Sequence, residues 1–330
     1  MSRKTRKLKN MLLVPFEWIG IGLGFCVIPW LPRCAVFGLC DVLSACACFL
    51  DRRGKRRALE NLRIVSGTQR NMGQVLFFDP DKAEYDPTMA EAKIIRRSYR
   101  NMFRTVGYAL WTCFKAKERC AGTGIMCEEG KRFLAENKPA VTVSGHVGCW
   151  EILSQLAYLE GHSMMSVAKD VGTAGMTALL MRVRRSIGQE IVHAEGAFKP
   201  LFQGIRDGKS LGLLVDQSVA PKRGGIWVRF FGMPMTVSAA PAFFAAKGKV
   251  PIVVAWSRPL KDGRYRCEVV DEIHFTEARD IWGTTQRIAA DLERIVRRHP
   301  SCWVLNYNFF GNKPKLEDLT ALAEREAKSV

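Results

Sequence analysis

From residue 140 onward, short apolar runs alternate with stretches of helical periodicity, and this alternation limits the fold more than any other feature of the chain. Runs at 140–144, 163–168, 190–193, 211–215, 250–256, 265–270 and 303–307 have the length of strands, and stretches at 151–159, 174–187, 198–206, 239–247 and 277–298 read as helices. Strands alternating with helices build an α/β domain whose sheet is largely buried. Upstream, Ile95, Met102, Phe103, Val106, Leu110 and Phe114 fall on one helical stripe while Arg96, Arg97, Arg100 and Arg104 take other faces. This predicts a long amphipathic helix with a basic side over 89–114. Gly67, Gly73, Pro80 and Pro87 mark a loop insertion over 66–88. The expected organisation is a basic and hydrophobic N-terminus (1–57), an α/β domain (58–312) and a polar tail (313–330).

The N-terminus follows a different pattern. Arg3, Lys4, Arg6, Lys7 and Lys9 precede a segment, 11–50, whose only charges are Glu17, Arg33 and Asp41, and the run Arg52, Arg53, Lys55, Arg56, Arg57 closes it. A membrane-spanning helix needs about 20 apolar residues, which 10–31 supplies. The stretch 34–50 is shorter and carries Asp41 at its middle, where a charge in hydrocarbon costs about 2.5–3.5 kcal/mol; it is expected to pack in the interface or against protein. Both flanks are basic, so orientation follows from neither. The reading is an embedded anchor, spanning or re-entrant, with the body of the protein on the cytoplasmic side. A secretory signal is the rival, but Leu43-Ser44-Ala45-Cys46 lies too far into the chain for its cleavage box. A buried pair of core helices is the third reading.

Charge narrows the partners to a type. Fifty Lys and Arg against 32 Asp and Glu give a net charge of +18, which attracts phosphate, anionic lipid or an acidic protein. Eleven cysteines, an odd number, suggest no disulfide framework, and Cys46-x-Cys48 lacks the neighbours of a zinc site. They read as reduced apolar residues. Basic clusters without interleaved aromatics argue against nucleic acid. Gly224-Gly225 is a turn without a phosphate-loop lysine, and Ser144 and Ser154 lack a nucleophile elbow. Phe230-Phe231 and Phe243-Phe244 read as core aromatics ahead of an acyl groove.

The segment 140–151 reads as strand, tight turn and helix start. His146 then lies at the carboxyl end of a strand, where open α/β sheets place their ligand sites, and Glu151 falls in the first helical turn, from which its carboxylate can reach back to the imidazole. A His held by an acid on one nitrogen offers the other as a general base, and an unperturbed imidazole near pKa ~6.5 suits removal of an alcohol proton. The Gly145 and Gly148 N–H groups are candidate oxyanion donors. On the residues alone, a structural turn His bonded to Glu151 remains the alternative. On the helix 174–187, Arg184 borders the stripe Met176, Leu179, Leu180, Val183, Ile187, which makes it the arginine that faces protein or ligand. A strand-end acid such as Asp216 is equally suited to capping a turn.

His146-Val147-Gly148-Cys149-Trp150-Glu151 resembles the His-x4-Asp/Glu signature of glycerolipid acyltransferases. It is most similar to the His-x-Gly-Asn-Trp-Glu form of the late acyltransferases of lipid A biosynthesis. Arg184 four residues before Gly188, the strand end Leu213-Leu214-Val215-Asp216-Gln217, and 224–236 follow in the family's order. So does the Arg- and Leu-rich helix with Asn61-Leu62; the resemblance runs from about 10 to 310. The sequence departs from the pattern at Cys149, where Asn is usual, at Ser218, and at Leu305, Tyr307, Asn308 and Phe309.

The resemblance implies a glycerolipid-acyltransferase-like mixed sheet flanked by helices. It also implies an O-acyltransferase without a cofactor or metal, with His146 as base, Glu151 as its orienting acid, and Arg184 and Asp216 assembling the site or binding a phosphosugar. The implied donor is an acidic acyl carrier protein, and the implied acceptor a phosphorylated lipid A precursor at the cytoplasmic face of the inner membrane. Acyl-CoA as donor, another glycolipid or phospholipid acceptor, thioester hydrolysis, and a non-catalytic basic membrane-surface protein are the alternatives.

Overall fold

In the computed structural model, which describes residues 27–70, 78–79, 84–85, 91–113, 115–136, 138–168, 174–186 and 188–328, one mixed sheet organises the chain. A two-residue ladder, β1 (Phe78–Asp79) with β2 (Glu84–Tyr85), lies in the expected insertion. The sheet comprises β3 (Gly124–Met126), β4 (Val141–Ser144), β5 (Met164–Ala168), β6 (Gln189–His193), β7 (Ser210–Leu214), β10 (Ile252–Pro259) and β11 (Tyr265–Ile273), while β8 (Gly225–Phe230) and β9 (Met233–Ser238) form a separate hairpin. Its order is β3-β11-β10-β4-β7-β5-β6, and every neighbouring pair is parallel except β10 with β11.

The helices are α1 (Arg33–Leu50), α2 (Arg52–Arg70), α3 (Glu91–Thr112), α4 (Ala116–Ala121), α5 (Glu128–Ala135), α6 (Trp150–Leu159), α7 (Ala174–Ser186), α8 (Phe198–Arg206), α9 (Ala240–Gly248), α10 (Ile281–Arg298) and α11 (Leu316–Lys328). Both faces of the sheet are covered. Along β10, Ile252, Val254 and Trp256 join the main core, which includes Phe244 of α9 and Ile288 of α10, while Val253 and Ala255 pack with Phe133 of α5 and Leu153 of α6. This period-two division is what a strand buried on both faces requires.

The last expected strand, 303–307, is instead an irregular segment after a 3-10 turn at Pro300–Cys302. Its backbone is satisfied by side chains of α2 and α3: Ser98 Oγ donates to the Trp303 carbonyl at 2.5 Å, and Asn61 Nδ2 donates to the carbonyls of Leu305 and Tyr307 at 2.7 and 2.8 Å. An apolar run whose first three residues are buried looks like a strand in sequence, and the partner groups decide otherwise. The polar tail expected after Lys313 carries α11, whose Leu322 is buried and whose Glu326 pairs with Arg229 at 2.9 Å.

The expected segment 34–50 is one helix, α1, and it packs against protein on one side. Val36, Phe37, Cys40 and Ser44 are buried, and Gly107 of α3 admits Cys40, since a Cβ there would lie 2.3 Å from its sulfur. Asp41 is met by a forked pair from Arg104 of α3, with both N–O distances 2.6 Å. The outer side exposes Leu39, Val42, Leu43, Phe49 and Leu50. By length and composition α1 is sufficient to cross a membrane. The other expected segment, 10–31, lies outside the described residues up to position 26.

Candidate active site

Two adjacent parallel strands end side by side and place the key groups. β4 and β7 pair through Ser144 opposite Leu214, and the Val215 N–H continues the ladder to the Ser144 carbonyl at 3.0 Å. His146 leaves the first strand and Asp216 the second. The His146 ring Nδ1 lies 2.7 Å from Asp216 Oδ1, while Asp216 Oδ2 accepts from the His146 backbone N–H at 2.7 Å and from the Trp303 indole at 2.9 Å. A carboxylate only accepts, so Nδ1 carries the proton and Nε2 keeps the basic lone pair. Gly145 leaves room for this arrangement, because a Cβ there would come within 3.1 Å of the carboxylate.

Asp216 is 1% exposed and the His146 ring 13%, so the acid is sealed while the base keeps an opening. Burial alone would raise the Asp216 carboxyl, but the His146 charge and the three hydrogen bonds hold it below the ordinary carboxylate value. Trp150 and Tyr307 meet the imidazole edge-on, with ring centroids 5.1 and 5.4 Å away. Tyr307, one of the departures from the family pattern, is therefore a neighbour of the imidazole.

The turn beyond His146 is rigidly fixed. Gly148 has φ +65°, and a Cβ would fall 1.7 Å from the Ser257 carbonyl oxygen, so only glycine fits. Its N–H donates to Cys302 O at 2.9 Å, and its carbonyl accepts from Asn101 Nδ2 at 3.0 Å. The expected use of the Gly148 N–H as an oxyanion donor is therefore corrected: that hydrogen bond is already made. Cys149 is wholly buried, its N–H donates to Ser257 Oγ at 2.8 Å, and burial pushes its thiol far up. It packs and does not act as a nucleophile.

Glu151 sits in the first turn of α6 as expected, but its partner differs. Arg184 of α7 grips it as a fork, Nη2 to Oε1 at 2.6 Å and Nε to Oε2 at 3.1 Å, and the Trp150 indole adds a bond to Oε1 at 3.1 Å. The Glu151 charge raises the already strong Arg184 base further. The expected Glu151–His146 contact is thus replaced by Asp216–His146, because sheet order delivers Asp216 to Nδ1 while both Glu151 oxygens are taken. Arg184 faces protein, as the helical periodicity predicts; the side chains of the stripe used for that inference lie outside the described ones.

The Glu151–Arg184 pair borders a cavity of about 70 Å3 between α6, α7 and the sheet. An apolar cavity of about 50 Å3 shares Thr142, Leu153 and Met164 with it and extends over Phe133 and Val253. Phe230, Phe231 and Phe244 are core residues around Trp303 and α9, in accord with the core reading. Sequence reasoning named all four polar residues but missed Trp303 and Trp150 as their indole donors. The only signal for Trp303 was its place in an apolar run near the end of the domain.

No curated protein matches the chain significantly. The family profile of bacterial lipid A biosynthesis acyltransferases matches residues 3–310, nearly the whole length, and the chain belongs to that family of acyltransferases.

Proposed function

We propose that the protein moves a fatty acyl chain from an acyl thioester, with acyl carrier protein as donor, to a hydroxyl of a lipid A precursor, and that His146 is the general base with Asp216 as its orienting acid. The observation that carries this reading is the 2.7 Å contact of the buried Asp216 with Nδ1, which leaves Nε2 basic beside an opening. Nε2 takes the hydroxyl proton as the oxygen attacks the thioester carbonyl. The tetrahedral intermediate then expels the thiolate as the C–S bond breaks, and the imidazolium returns the proton to sulfur. Asp216 remains ionised throughout and stabilises the imidazolium. A positioned base of this kind contributes typically about 10²–10⁴-fold.

Glu151 and Arg184 act in this scheme as a fixed ion pair that holds Trp150 against the imidazole and shapes the mouth of the neighbouring cavity. A net charge of +18 suits an acidic carrier protein, a phosphorylated acceptor and an anionic leaflet alike. The exposed apolar side of α1 suits a place at the inner membrane, with the catalytic body on the cytoplasmic face.

The test supplies purified protein with labelled acyl carrier protein or acyl-CoA and a lipid A precursor. Acylated lipid, faster from the carrier protein, is expected. Free fatty acid as the main product would make the protein a thioesterase, and no turnover of either donor would contradict the reading.

A further inference from the structure

A basic cavity of about 500 Å3 lies away from the His146–Asp216 pair, between α3, the β10–β11 turn and α1. Arg97, Arg100, Arg104, Arg258, Lys261 and Arg264 line it, and no Asp or Glu is among its described lining residues. Three of these cations are fixed in direction by neighbouring acids: Arg104 by Asp41, Arg258 by Glu268 at 2.9 Å and Arg264 by Asp262 at 2.7 Å. Ser301 and Cys302 line the cavity together with Arg97, Arg100 and Arg258, so these guanidiniums border one region. Guanidinium forks match phosphate oxygens in geometry and charge. The volume is that of a small-molecule site.

The rim indicates where the anion comes from. Phe37 of α1 borders the cavity, and the opposite side of α1 carries the exposed apolar row Leu39, Val42, Leu43, Phe49 and Leu50. A phosphate headgroup can therefore meet the arginines beside the helix whose outer side is apolar enough to lie in a bilayer.

We infer that this cavity is a binding site for the phosphate of an anionic phospholipid, separate from the acceptor hydroxyl, and that it fixes the enzyme's orientation on the bilayer. The inference rests on the membrane reading above and adds a defined site to it. The cavity also touches the catalytic turn from behind, since Asn101 and Cys302 line it and both hold Gly148. A seated headgroup therefore braces the loop that carries His146.

The experiment uses the full chain in neutral detergent, with phosphatidylglycerol and phosphatidylcholine offered together and retained lipid counted by native mass spectrometry. Preferential retention of phosphatidylglycerol is expected. Arg100→Gln with Lys261→Gln should weaken it about thirty-fold, from about 1 kcal/mol per basic residue near an anionic lipid. Lys222→Gln with Arg223→Gln removes the same charge from the exposed turn before β8 and should leave retention unchanged. Equal loss in both variants, or no loss in the first, overturns the site. Displacement of the lipid by stoichiometric inorganic phosphate would make free phosphate the ligand and overturn the lipid assignment. Membrane fractionation separates this from the reading beneath it: protein that stays in membranes without lipid preference sinks the site alone, whereas wild-type protein found in the aqueous fraction sinks the membrane reading too.

Discussion

Asp216 and Glu151 are both buried carboxylates near the end of β4, and each is paired with a base, yet the pairs are suited to different work. Asp216 holds a histidine, and it uses both oxygens to fix that ring and its backbone. Glu151 holds an arginine, which does not release its proton under any working condition, in a planar two-point grip. The first pair has the parts of a proton relay with one free nitrogen. The second has the parts of a strut.

Substitutions that separate relay from strut test the contrast. His146→Ala carries the largest effect: acyl transfer measured with purified, folded protein should fall about 10²–10⁴-fold. Asp216→Asn should approach that loss, because an amide cannot hold Nδ1–H against a full charge, and it reverses the polarity on which the correct tautomer depends. The same change has a pH signature. The Asp216 carboxyl is held below its ordinary value, so its contribution to stability is present above the unfolded carboxylate pKa of about 3.9 and is lost as pH falls through the lower folded value. Acid unfolding of the Asn variant should lack that limb.

Glu151→Gln should reveal the strut by a different readout. It leaves the Arg184 charge buried without its partner, a loss of about 3–5 kcal/mol in chemical denaturation, and adding Arg184→Leu should restore part of the stability. If Glu151→Gln leaves stability intact while abolishing transfer, the division of labour is wrong. Gly148→Ala closes the series with a destabilisation of more than about 1 kcal/mol, from a left-handed backbone set against the Ser257 carbonyl. It should lower stability and activity together, since the turn serves both pairs.

Much of this was legible in the sequence. The alternation of apolar runs and helices located six of the seven sheet strands, because strands buried on both faces concentrate apolar residues in short runs. The three-residue β3 was too short to register, and the β8–β9 hairpin was seen only as a Gly-Gly turn inside a family landmark. Site residues were identifiable singly and not as pairs. Four residues separate His146 from Glu151, and a helix start makes their contact plausible, whereas Asp216 lies 70 positions from His146 and reaches it only because β4 and β7 are neighbours. Strand order is a tertiary fact that local spacing does not carry. The same holds for 303–307, whose irregular path depends on Asn61 and Ser98 from two distant helices.

The most direct test of the relay follows the His146 Nδ1 proton by NMR of selectively labelled protein. A hydrogen-bonded Nδ1–H resonance should be present in the wild type, persist in Glu151→Gln and disappear in Asp216→Asn. Its survival without Asp216, or its loss with Glu151, would show that the imidazole is held by the other acid.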